Sequence, residues 1–303
     1  MAAAACGLIA ATFYTCANIA LRQCVNIDPL LVSAVKAAPT VILLSPFLIW
    51  MRFNGMRIAT SYEMVPRFIV VSLLGQFVGN AAFQFALGSI GLAASVPITL
   101  GVLIGAGAVL ARVMLGEPIR RKTIVAMVIL VVAVFVLSQP GATSIPTNSE
   151  SALPTWLGAG CAAASGVAYA LFGTVMRQSL QRGLSAPVTM WISGIVGMTS
   201  LWSATLAMSG LASISATTDG QWQTMAAAGV FNFLAFVALS IALKALSVTA
   251  VNLINTTQVA MAAVAGVALF GEPITGPLVA GILLTVGGLL ILARRKPNPT
   301  ANK

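Results

Sequence analysis

The sequence predicts an all-α integral membrane protein of ten transmembrane helices, arranged as two inverted five-helix repeats. Three observations predict it: the composition, ten apolar runs of spanning length, and a motif that returns after 155 residues. Of the 303 residues, 59% are hydrophobic and 7% are charged, and the mean hydropathy is +0.99. A soluble domain carries roughly 25% charged residues, so this chain has too few to cover a water-facing surface. A lipid core about 30 Å thick requires about 20 apolar residues per helix. Runs such as "TIVAMVILVVAVFVLS" show no alternation of apolar and polar residues. That excludes the strands of an outer-membrane barrel.

Taken in order, the spans are Ala3–Leu21, Pro29–Trp50, Phe68–Leu87, Leu92–Leu115 and Thr123–Ser138, then Trp156–Met176, Pro187–Met208, Gln223–Leu246, Val248–Phe270 and Pro277–Ala293. The first has no basic region before its apolar run, so it reads as a span and not as a cleaved signal peptide. The fourth and ninth come after very short turns. The fifth and tenth carry almost no polar side chains, which places them at the periphery, against lipid or a second copy of the chain.

The repeat is visible as sequence. "LGEPIRRK" begins at Leu115 and "FGEPITGP" at Phe270. A shift of 155 places Gly116-Glu117-Pro118-Ile119 on Gly271-Glu272-Pro273-Ile274, Tyr14 on Tyr169, and Arg22-Gln23 on Arg177-Gln178. Ala86-Leu87 falls on Ala242-Leu243 at 156, through one inserted or lost residue. The organisation is a first repeat over 1–139, an external linker over 140–155, a second repeat over 156–296 and a cytoplasmic tail over 297–303.

Five spans per repeat is an odd number, so the second repeat must lie upside down relative to the first. Matching loops then face opposite sides, and the excess of basic residues on cytoplasmic loops should differ between them. It does: "IRRK" comes after the first motif and "ITGP" after the second. With both termini inside, Arg52, Arg57, Arg67, Arg112, Arg120, Arg121, Lys122, Arg177, Arg182, Lys244, Arg294, Arg295, Lys296 and Lys303 lie on or near the inner face. Arg22 alone is outside, and Lys36 lies within a span. The net charge of +10 is thereby a topology signal, and no nucleic-acid partner is implied.

The motif residues Gly116, Glu117, Pro118, Gly271, Glu272 and Pro273 have a structural reading. Glycine permits a sharp turn, glutamate suits the positive end of a helix dipole, and proline suits a first helical turn. The motif would punctuate the last two spans of each repeat. Two five-helix repeats, each with an apolar run and Gly-Glu-Pro before its last span, resemble the drug/metabolite transporter superfamily, EamA-type, over about Ala3 to Lys296. Lys36 fits the basic residue that family often carries in its second span. Tyr14-Thr15 stands where the family often has Trp-Gly, which leaves the substrate class open. The resemblance implies a secondary transporter in the cell membrane, commonly an efflux system for amino acids, metabolites or drugs, with a central cavity between the halves.

Inverted repeats place substrate sites near the midplane, at the repeat interface, so polar residues within spans mark the candidate pathway. Gln76, Asn80 and Gln84 recur every four residues and share one helical face. Tyr14, Asn18, Thr99, Tyr169, Asn232, Asn252, Asn255 and Thr256 complete the set. Single amides in membranes often only bridge helices; three on one face favour a wet wall. Gly75/Gly79 and Gly101/Gly105 have the spacing of close helix contacts. Lys36 lies about 10 Å inside its helix start, at roughly 1.5 Å per residue. Two placements are open: its ammonium snorkels to the outer interface, or it faces inward and meets a substrate carboxylate or a backbone carbonyl.

The chain has no histidine, and its six acids, Asp28, Glu63, Glu117, Glu150, Asp219 and Glu272, fall in loops or at helix ends. No carboxylate pair is available for acid–base catalysis, and the four cysteines lack metal-ligand or disulfide spacing. The expectation is therefore no enzyme, no metal and no cofactor. The partners are the lipid bilayer and a small-molecule substrate, with coupling to protons or to solute exchange and a homodimer through the peripheral spans left open. A non-transporting sensor or scaffold on the same fold is the alternative. The polar stripe favours transport, because a scaffold needs no wet interior.

Overall fold

In a computed structural model, residues 2–56, 59–116, 121–137, 155–245, 251, 254–255 and 257–293 are described. Among those residues run the helices α1 Ala2–Gln23, α2 Pro29–Phe53, α3 Val65–Ile90, α4 Leu92–Leu115, α5 Arg121–Leu137, α6 Thr155–Gln181, α7 Ala186–Met208, α8 Asp219–Ala245, α9 Thr257–Phe270 and α10 Gly276–Ala293. A single extra turn covers Ala212–Ser215. The described residues contain no strand, only an isolated antiparallel bridge between Ala59 and Leu184. The fold is all-α.

Seven helices, α1–α4 and α6–α8, are long and apolar enough to cross a membrane; α5, α9 and α10 are shorter apolar helices. Exposed apolar side chains cover the outside. On α5 alone Ile124, Val125, Val128, Val131, Val132 and Phe135 are exposed. Contiguous apolar surface of that kind is covered by lipid or by another apolar surface.

Local chemistry sets the helix ends. Asp28 Oδ1 accepts the Leu30 amide at 2.7 Å, and Pro29 opens α2, where its missing N–H leaves nothing unsatisfied. Gly91 is the one residue between α3 and α4. Its φ is +78°, and a Cβ there would stand 2.5 Å from Glu272 Oε1, so only glycine fits. Gly55 and Gly210 have φ of +67° and +62°, and Gly116 and Gly271 have +70° and +63°. Each pair is separated by 155 positions, and a Cβ at any of the four would meet open space. Their glycines are required by the left-handed helix terminus and not by crowding.

Three of the described helices are irregular inside the bundle, α4 through Pro97. Pro39 and Pro46 lie within α2, each removing an intrahelical N–H bond. Within α3, Gly75–Ala81 forms a π-helical turn. The buried apolar residues form three clusters: α1, α2, α3, α4, α8 and α9 around Leu31, Leu92 and Met225, α2, α3, α6 and α7 around Phe68, and α3, α4, α5, α6 and α10 around Ile90 and Leu137.

Pairing between the first five helices and the last five is mirrored. α1 packs on α8, and α6 on α3; α2 packs on α8, and α7 on α3; α4 packs on α6, and α9 on α1. α2 meets its counterpart α7, α4 meets α9, and α5 meets α10.

Candidate functional site

Asn80 and Tyr169 lie well inside α3 and α6, at least about 15 Å from either helix end at roughly 1.5 Å per residue. Asn80 Oδ1 accepts from Lys36 Nζ of α2 at 2.7 Å and from the Tyr169 hydroxyl at 2.7 Å. Asn80 Nδ2 donates to Gln76 Oε1 at 2.6 Å. Gln76 Nε2 continues to the Ser193 carbonyl at 3.1 Å and the Ser193 hydroxyl at 3.3 Å, on α7. The chain of bonds thus runs from α2 through α3 to α6 and α7, joining both halves of the sequence.

Close backbone approach makes the network fit. A Cβ at Gly79 would stand 2.8 Å from the Tyr169 ring, and one at Gly197 would stand 2.5 Å from Gln76 Cδ. The π turn sets the register. In a regular α-helix residues four apart drift steadily around the axis. Gln76 and Asn80, four apart, meet on one helix face, and the wider turn rotates the helix beyond Ala81. It also leaves local carbonyls to other donors: Ser165 Oγ donates to the Gly79 carbonyl at 2.7 Å.

Lys36 is 6% exposed and its ammonium faces the bundle interior. Of the two placements open from sequence, the inward one is observed. The three-amide face of α3 is divided. Gln84 turns away and donates to the Leu21 carbonyl at 3.0 Å, at the end of α1, and its Oε1 is buried without a partner. Thr99 donates to the Ala162 carbonyl at 3.0 Å, tying α4 to α6. Tyr14, Asn18, Asn80, Tyr169, Asn232 and Asn255 are half-buried. Asn255 Oδ1 itself is buried without a partner. Asn252 and Thr256 lie outside the described residues, as do Glu117 and Pro118. Gly79 approaches α6, whereas a Cβ at Gly105 would only touch Met127 of α5 at 3.8 Å. Gly75 and Gly79 make close helix contacts, and Gly105 a loose one.

Glu272 departs from the expected role. It does not serve the helix next after its motif. Its Oε1 accepts the Leu92 amide at 2.7 Å and Arg22 Nε at 3.0 Å, and its Oε2 accepts the Ala93 amide at 2.8 Å. The carboxylate of the second half therefore caps α4 of the first half, where the free amides and the helix dipole favour an anion. Arg22 is buried beside it, its guanidinium 5.5 Å from the centre of the Phe270 ring. Pro273 is not in a first helical turn, because residues 271–275 are irregular. Pro277 opens α10 in its place.

Sequence reasoning missed Ser193, Ser165 and the pairing of Arg22. Membrane serines and threonines mostly bond their own helix four residues back, as Thr174, Ser179, Ser200 and Thr205 do. Nothing local distinguishes Ser193 from these.

Residues 156–294 match the model of the EamA-like transporter family. A solved structure described only as "Crystal structure of protein" superposes with a TM-score of 0.65 at 17% identity, covering 98% of each chain. At that identity the likeness concerns the fold. No curated protein matches.

Proposed function

We propose that this chain, whose residues 156–294 match the EamA-like transporter family, is a secondary active transporter of small organic solutes, working by alternating access between its two halves. The observation that carries the reading is the polar network Lys36–Asn80–Tyr169 and Gln76–Ser193. It lies deep within the bundle and takes members from both halves. Polar groups so placed in a membrane protein mark a pathway. Half-buried Asn18 of α1, Asn232 of α8 and Asn255, just before α9, extend the wall.

Two inverted repeats, 1–139 and 156–296, with an external linker and both termini in the cytoplasm of a cell membrane, account for the mirrored helix pairing and the matched left-handed glycines. Efflux is the expected direction, driven by a proton gradient or by exchange. The test is reconstitution. Proteoliposomes containing the protein should accumulate or release labelled organic solutes faster than empty vesicles, and faster under an imposed pH or solute gradient. If no solute moves faster than in empty vesicles under any gradient, the chain is a sensor or scaffold and not a carrier.

A further inference from the structure

We propose that the solute is an organic monoanion, held by a carboxylate against Lys36, with Asn80 releasing its oxygen to make room. The inference rests on the transporter reading of the same site and narrows it to one chemical class.

Lys36 is buried with a hydrogen-bond partner but without a counter-charge among the described residues. Its bond to Asn80 Oδ1 is to a neutral amide, and that oxygen is shared with Tyr169. The network beyond it, Gln76 to Ser193, is neutral to its end in a backbone carbonyl. An ammonium has three N–H donors, and Asn80 takes one. The described carboxylates are elsewhere. Asp28 caps α2 and receives the Ser209 hydroxyl. Glu272 is held by Arg22 and two amides. Glu63 and Asp219 are exposed.

An uncompensated charge in a low-dielectric interior is strongly unfavourable, and in a membrane such a group persists where it serves a pathway. A bound carboxylate would supply both the missing charge and the missing acceptors. The charge count selects the class. One lysine balances one negative charge, whereas a phosphate dianion would leave a second charge unmatched. Among the described residues the network also has no guanidinium fork for bidentate phosphate recognition, and Arg22 is paired with Glu272.

The experiment uses the full-length protein in detergent and in proteoliposomes. A panel of small aliphatic and aromatic carboxylates, each with its amide and its amine of matched shape, is tested for thermal stabilisation and for transport. Carboxylates should bind and move, and their amides should bind at least about tenfold more weakly, as expected for loss of a charge-assisted contact. Lys36→Met should lose the same preference while remaining monodisperse. Asn80→Asp is the sharper variant. It places a carboxylate where Lys36 already reaches, with loss of the amide donor to Gln76, so the protein should remain folded and stop binding external carboxylates. Transport in which amides or amines equal the carboxylates, or in which Asn80→Asp binds carboxylates as the wild type does, overturns the assignment and leaves the transporter reading standing. If no member of the panel binds while other solutes are transported, the carboxylate class is likewise wrong. If no solute of any kind moves, the transporter reading falls and this inference with it.

Discussion

At the scale of single residues, Asn80 is the node of the network. Its two polar ends serve Lys36, Tyr169 and Gln76. Asn80→Leu leaves all three without that partner and should destabilise the protein by about 1–3 kcal/mol, the range for stranding buried polar groups. Tyr169→Phe removes one hydroxyl donor while Lys36 keeps its bond, and should cost only about 0.5–1.5 kcal/mol. Denaturant unfolding of the purified protein in detergent measures both, and equal losses would contradict the node. The unequal legibility of these residues has a physical origin. Lys36, Gln76, Asn80 and Tyr169 stand out in sequence because a long polar side chain inside an apolar run needs an explanation. Ser193 does not, because serine can satisfy itself on its own helix. Gln84 misled for another reason: its period-four spacing describes a regular helix, and the π turn at Gly75–Ala81 intervenes before it.

At the scale of elements, the unit to test is the α4 terminus with Glu272. Three partners converge on one buried carboxylate, and two of them are backbone amides of a helix in the other half. Glu272→Ala should strand the buried Arg22 and uncap α4, lowering stability by about 3–5 kcal/mol. Arg22→Met should be milder, because the two α4 amides still hold the carboxylate. Combined, the two changes should destabilise less than their sum, because removing both charges leaves neither unpaired. A double-mutant cycle on unfolding in detergent gives the coupling; strict additivity would mean that the pair contributes nothing beyond its separate contacts. The sequence pointed to Glu272 as a helix-end residue but assigned it to the neighbouring helix. A Gly-Glu-Pro string states that a helix end is near; which helix lies across the bundle is tertiary information that no local pattern holds.

At the scale of the whole molecule, the halves are tied at both ends of the bundle. At the predicted outer end, Asp28 before α2 receives the hydroxyl of Ser209 at the close of α7. At the predicted inner end, the connection after α2 meets the α6–α7 turn: Ala59 bridges Leu184, and the Thr60 amide donates to the Gly183 carbonyl at 2.8 Å. Both ties link α2 or its flanks to α6 or α7. If α2 and α7 separate alternately at the two ends, each tie must break once per transport cycle, and each is made of only a few hydrogen bonds. Making either permanent should stop the cycle. In a background lacking Cys6, Cys16, Cys24 and Cys161, the pair Asp28→Cys and Ser209→Cys, or the pair Ala59→Cys and Leu184→Cys, is oxidised in proteoliposomes. Each cross-link should reduce transport to the level of empty vesicles, and reduction should restore it. The first should also shield Asn80→Cys from a membrane-impermeant thiol reagent added outside, and the second from one delivered inside. Undiminished transport through a fully cross-linked pair would show that the two halves do not part at that end, and the rocking motion would have to be sought between other helices.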